Sequence, residues 1–235
     1  MNTTSVLSAL DLAALAWFFI LVGGYRLITE SPAVKKMSIT GAVQTQRLHW
    51  MRTMARRDAR LMDAILLGHL SQGNAFFAST CAIAIGGLVT LLGSSERAHA
   101  ALEGIPYVTP STPISWTIKI ILLIGIFAYA FFKFAWAFRL SHYTAILIGA
   151  TPLREDGDEE ACLRHASAIA VLNGIAAEHA NAGLRSFYYS IAAMAWFFHP
   201  LLFIAATAIV ILILIRRDFF SKALRAVASC DLQNT

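Results

Sequence analysis

Apolar residues fall along the chain in long runs without strict alternation, and four of these runs are long enough to cross a bilayer. They cover about residues 6–28, 64–92, 113–138 and 187–215, and a spanning helix needs about 20 predominantly apolar residues. Each is predicted to be helical, because a lone apolar segment in hydrocarbon satisfies its backbone hydrogen bonds in no other way. The lack of a two-residue period removes a membrane β-barrel. The predicted fold class is all-α: a polytopic membrane protein of about four transmembrane helices, with residues 1–235 forming a single membrane domain.

The connections between the runs differ in charge. The first holds Arg26, Lys35, Lys36, Arg47, Arg52, Arg56, Arg57 and Arg60. The second, Gly93 to Thr112, holds only Arg97 among its Pro, Ser and Gly residues, and the third holds Arg139, Arg154, Arg164 and Arg185 beside the acidic run Glu155, Asp156, Asp158, Glu159 and Glu160. Basic loops stay cytoplasmic. The first and third connections are therefore expected inside, the N-terminus outside, and the chain multi-pass in a cell inner membrane. The C-terminal tail breaks this pattern. After four crossings it belongs outside, yet it carries Arg216, Arg217, Lys222 and Arg225. Either the tail is an exception, or the third connection hides a membrane-dipping segment, for which Tyr143 to Pro152 is the candidate.

Two connections carry a helical period of their own. Over residues 43–62, Trp50, Met54 and Leu61 share one face, and His49, Arg52, Arg56 and Arg60 share the opposite one. Over residues 159–185, Glu160, Arg164, Ser167, Glu178 and Arg185 form a polar face opposite Ile169, Leu172, Ala176 and Ala180. Both are predicted to be cytoplasmic interfacial amphipathic helices, the first resting on the anionic inner leaflet.

Composition fits this picture. The chain of 235 residues is 57% hydrophobic and 14% charged, with a mean hydropathy of +0.62. Its net charge of +5 sits beside apolar spans, which makes it a topology signal and excludes nucleic acid as the expected partner. Cys81, Cys162 and Cys230 are odd in number and widely spaced, so no disulfide framework or zinc knuckle is expected. The first run lacks a basic region before it and a small-residue cleavage site after it, and reads as a retained helix instead of a signal peptide.

Polar residues at membrane depth are the candidates for function, because placing them there is costly. Asp58 falls by helical angle among Met51, Met54, Leu61 and Met62, and in that position it requires a cation, with Arg139 or Lys133 in reach as partner. A structural ion pair and a proton relay both fit. His69, Gln72 and Asn74 open the second run, and His69 and Gln72 share a sector with Ser79 and Thr80 that suits interhelical hydrogen bonds or a polar cavity. Gly86 and Gly87 follow. Asp11 lies near the outer surface, where hydration accounts for it. Lys119 and Lys133 lie near the ends of the third run, where their stems can snorkel. His69 and His199 are expected at depths about 10 Å apart, too far for paired axial haem ligands, and Pro200 suggests a kink at that point. No catalytic residue, cofactor or metal is predicted. Walker, HExxH, GxSxG and dinucleotide fingerprints are missing from the sequence.

The stretch FFKFAWAFRLSHYTAILIGATP, from Phe131 to Pro152, together with QGNAFFAST, from Gln72 to Thr80, resembles an uncharacterised family of bacterial and plant integral membrane proteins known only as a domain of unknown function. The positions that carry the resemblance are Asn74, Phe77, Ser79, Thr80, Lys133, Trp136, Arg139 and Tyr143. His142 departs from it, standing where an amide is expected. The resemblance implies the architecture and no catalytic role. The candidate polar cluster is Asp58, His69, Gln72, Asn74, Lys133, Arg139 and His142. Three functions are open: a non-catalytic homo-oligomer or accessory subunit of a membrane complex, an ion channel or small-solute transporter, and a membrane-embedded enzyme acting on lipid or quinone. The first is preferred, which leaves enzyme status uncertain and leaning against.

Overall fold

The computed structural model describes residues 7–93, 112–152 and 159–230. Arg97 and most of the second connection lie outside these residues, as do Arg154, Glu155, Asp156 and Asp158 of the acidic run. Among the described residues every regular element is helical: α1 (Ala9–Glu30), α2 (Pro32–Lys36), α3 (Ile39–Ala55), α4 (Leu61–Gly93), α5 (Pro113–Gly149), α6 (Glu159–Met194), a 3₁₀ turn (Ala195–Phe197), α7 (Pro200–Phe219) and α8 (Lys222–Ser229). Four of them, α1, α4, α5 and the stretch beginning with α7, are long and apolar enough to cross a membrane. Their outer surfaces carry large apolar side chains, among them Ile20, Leu27, Phe132, Ile146 and Leu212. A surface of that kind suits lipid and not water.

Local chemistry explains the boundaries. Ser8 caps α1 by accepting the Asp11 backbone N–H at 3.1 Å, and the Asp11 carboxylate accepts the Ser8 backbone N–H at 3.1 Å in return. Asp11 is thus a capping residue. The α5 helix runs on through Tyr143 to Gly149, so the candidate membrane-dipping segment is the end of a continuous helix. The fourth apolar run is divided. Phe187 to Met194 ends α6, and Pro200 is the first residue of α7. Its fixed φ suits that first position and its missing N–H costs nothing there. His199 caps the new helix, its Nδ1 accepting the Leu201 backbone N–H at 3.1 Å. Pro200 therefore starts a helix where a kink was expected.

The chain divides into two compact units. The first consists of Met1–Ser31, Thr80–Ala130 and Leu184–Arg217. Within it α6 and α7 form an antiparallel hairpin: Ala192, Tyr188 and Tyr189 pack against Val210, Ile211 and Leu214. Trp196 stacks on Phe203 beside the turn, with centroids 5.3 Å apart, and Arg217 lies 5.3 Å from the Tyr188 ring centroid at the far end. The far end of this unit also holds Arg185, 5.2 Å from the Tyr25 ring, and Arg26, 6.0 Å from the Tyr129 ring. At the turn end, Trp196 donates its indole N–H to Asp11 at 2.8 Å. The buried Lys119 ammonium lies 5.5 Å from the same indole.

The second unit consists of Pro32–Ser79, Phe131–Gly183 and Asp218–Thr235. Here the apolar faces of the two amphipathic helices meet. Met51, Met54 and Ala55 of α3 pack against Ala166, Ile169 and Ala170 of α6, with Leu67 and Ile148 completing the core. Phe77 stacks on Phe134 at 5.1 Å, and Gly183 lets α6 approach that ring, since a Cβ there would lie 2.7 Å from its carbons. The basic helix α8 lies against α3. The tail expected on the opposite side of the membrane is therefore packed on the helix of the first connection.

Candidate functional site

The α3 helix stops at Ala55, and Asp58 falls in the connection to α4, exposed and without an ion pair to a described residue. Its expected place on an apolar helical face is corrected by this break. Arg57 and Arg60 account for it. Arg57 turns to Asp63 at 3.1 Å, while Arg60 donates to the carbonyls of Thr151 and of Pro152, the latter at 2.7 Å. These tertiary bonds replace another turn of helix crowded with arginines.

The carboxylate that does need a cation is Asp63. It is fully buried, and its Oδ1 accepts from the Trp50 indole N–H at 2.7 Å and from Arg57 at 3.1 Å. Its Oδ2 is buried without a hydrogen-bond partner. A sequence signal existed, in that Asp63 is the acidic residue of the first turn of α4, where a carboxylate opposes the partial positive charge of the helix N-terminus.

The remaining candidates separate into three groups within the second unit. On α4, Asp63, Leu67 and Ser71 form the packed seam, and His69, Gln72 and Ser79 point nearly the opposite way, exposed, together with Leu61, Ile65 and Phe76. Asn74 lies on the seam side of α4, half-buried. On α5, Arg139 is exposed and donates from Nε to the Tyr143 hydroxyl at 2.9 Å, its guanidinium 5.2 Å from that ring. His142 is exposed and bonds the Phe138 carbonyl at 2.9 Å, which fixes Nδ1 as the protonated nitrogen. With Trp136 exposed one turn before Arg139, this stripe has the aromatic and basic character of a membrane–water boundary.

Lys133 points elsewhere. Its Nζ reaches His179 Nδ1 at 3.4 Å, so the imidazole accepts from the ammonium and carries its own proton on Nε2. Burial, and next the Lys133 charge, hold His179 below its ordinary pKa, with Glu178 acting against both. Glu178 also forms an ion pair with Lys35 of α2. Across α3, Gln44 donates from Nε2 to the Ala170 carbonyl at 3.1 Å and accepts from Arg47 at 3.5 Å. Gly174 leaves the space that the Gln44 amide occupies. Burial lowers the Arg47 pKa and the Glu178 charge raises it, yet a guanidinium starts so high that it stays charged. Lys35 and Arg47 thus share the Glu178 carboxylate, and Lys133 meets His179, the next residue of α6. Of these, only Lys133 stands in the candidate polar cluster read from the sequence, because α2, α3, α5 and α6 meet here through tertiary packing. Among the described residues no group of three or more His, Cys, Asp or Glu is placed to hold a metal ion.

A family model described as a protein of unknown function, DUF599, matches residues 13–223, and the chain belongs to that family. No curated protein and no solved structure matches the chain.

Proposed function

We propose that this member of a family of unknown function is a non-catalytic membrane protein that works as a homo-oligomer, with α4 as the contact helix. The outward face of α4 between Leu61 and Ser79 carries the reading. It mixes large apolar side chains, Leu61 at 73% and Phe76 at 66% exposure, with the exposed His69, Gln72 and Ser79. Lipid suits the first set and water the second, whereas a protein surface suits both. The apolar stretch of α4 that follows is also the least buried of the four spanning segments, 6% against 22–33% for the others. A second copy of the chain is the fitting occupant. The face bears no formal charge, and its amide and imidazole each offer a donor and an acceptor, so it complements itself across a two-fold axis.

The membrane arrangement that goes with this reading has five crossings. The α6–α7 hairpin supports a crossing by α6 from about Ala180 to Phe198, less apolar than the other four and shielded by them. Five crossings leave the N-terminus outside and bring both basic connections and the basic tail to the cytoplasmic side of a cell inner membrane, in accord with the positive-inside rule. The position of α8 against α3 supports the same parity.

The test of the contact is cysteine cross-linking in native membranes. In a chain whose three cysteines are replaced by alanine, Gln72→Cys is expected to form an intermolecular disulfide on mild oxidation, and Ser71→Cys on the buried seam is not. Equal cross-linking at both positions, or none at Gln72, contradicts the proposal.

A further inference from the structure

The group around Glu178 has more positive charge than its own carboxylate can balance. Lys35 forms an ion pair with Glu178 and Arg47 feels the charge of the same carboxylate, so two cations share one Glu. Arg47 holds five N–H donors, but its hydrogen bonding to described residues is one contact to Gln44 at 3.5 Å. Arg47 is half-buried, which leaves its remaining donors within reach of a ligand from outside. His179 presents a second unused donor, the Nε2–H opposite the nitrogen that faces Lys133. The depth fits a headgroup. From Pro113 to Lys133 the α5 helix advances about 30 Å, the thickness of the hydrocarbon core, and the Trp136, Arg139 and Tyr143 boundary stripe begins one turn later.

We propose that α2, α3, α5 and α6 of the second unit form a binding site for a phosphate group, held by Arg47 and His179 in the positive field of Lys35 and Lys133. A guanidinium and an imidazole N–H are the donors that charge-assisted recognition of a phosphate oxygen uses. Gln44 and Gly174 position Arg47: the glycine admits the amide, and the amide fixes the side of α3 on which the guanidinium lies. The phosphate can be the diester of an anionic lipid or a free anion, and the chemistry of recognition is the same.

Thermal unfolding of the purified, delipidated full chain in detergent tests this, with three probes: dihexanoyl phosphatidylglycerol, dihexanoyl phosphatidylcholine and inorganic phosphate. Saturable stabilisation is expected with the anionic lipid, absent with the zwitterionic lipid. Arg47→Gln is expected to weaken it by about tenfold or more, and Glu178→Gln to strengthen it. Because the second variant gains affinity, a folding defect cannot produce it. Arg47-dependent stabilisation by inorganic phosphate at comparable concentration identifies a free anion as the source, and stabilisation by the lipid alone identifies the headgroup. Equal stabilisation by both lipids, no stabilisation by either anionic probe, or an unchanged response in Arg47→Gln together with Glu178→Gln overturns the site.

Discussion

The guanidinium of Arg217 lies 5.3 Å from the ring centroid of Tyr188, which closes the open end of the α6–α7 hairpin. A continuous fourth span from residue 187 to residue 215 would hold these two positions about 40 Å apart. Their contact therefore determines where the basic tail emerges: beside the stretch of α6 where Arg185 meets Tyr25, and not beside Trp196.

Cys230 reports the side of the tail, since it is exposed while Cys81 and Cys162 are buried. In sealed right-side-out vesicles an impermeant maleimide is expected to leave Cys230 unlabelled, and to label it in inverted vesicles. Labelling from the outside would restore an even number of crossings.

Asp63 and Asp58 are close in sequence and opposite in consequence. Asp63→Leu removes the acceptor of the Trp50 indole and the partner of the half-exposed Arg57, and is expected to cost about 1–3 kcal/mol. Asp63→Asn keeps an acceptor for Trp50 and is expected to cost less. Asp58→Asn, exposed in the connection, is expected to stay within about 0.5 kcal/mol of the parent. Thermal melting in detergent ranks the three.

Gly183→Ala places a methyl group 2.7 Å from the Phe134 ring, which is buried and stacked on Phe77. The expected loss is about 1–3 kcal/mol, the usual cost of overpacking. Gly41→Ala is expected to be at least as harmful, because the obstructing atom is the backbone oxygen of Lys35 and has no rotamer to change. At Gly86, with open space around it, alanine is expected to be tolerated.

His179 makes stability depend on pH with a definite sign. Its folded pKa is below the ordinary 6.5, through burial and the Lys133 charge. Between the two values the unfolded chain binds more protons than the folded one, so stability rises with pH up to about 6.5 and is lost on acidification. Lowering pH from about 7.5 to about 5 is expected to reduce the melting temperature of the parent more than that of His179→Asn, which has no proton to gain there. Equal reductions would remove His179 from the explanation.

The spanning helices were legible because lipid demands long apolar runs and nothing local competes with that demand. Two errors came from extending a period too far. Residues 187 to 198 carry no charged side chain and run directly into the apolar stretch after Pro200, so the run conceals a turn that is visible only through proline's preference for the first helical position. The amphipathic phase of residues 43–62 put Asp58 on the buried face only if the helix continued past Ala55, and tertiary bonds of Arg57 and Arg60 ended it. His69, Gln72, Ser79 and Thr80 were grouped in one sector from the sequence, and the first three are exposed while Thr80 is half-buried. The Arg47–Glu178–His179 neighbourhood was out of reach, because it depends on how α3 and α6 cross.

Self-association through α4 is tested most directly by energy transfer between donor- and acceptor-labelled copies in liposomes, measured as lipid dilutes the protein. The parent is expected to keep its transfer efficiency over a wide range of dilution. Gln72→Lys, which sets like charges facing each other on the contact helix, is expected to fall to the level of chance proximity with an unchanged melting temperature. A parent that loses transfer in proportion to dilution, or a Gln72→Lys variant that retains it, would contradict assembly by this face.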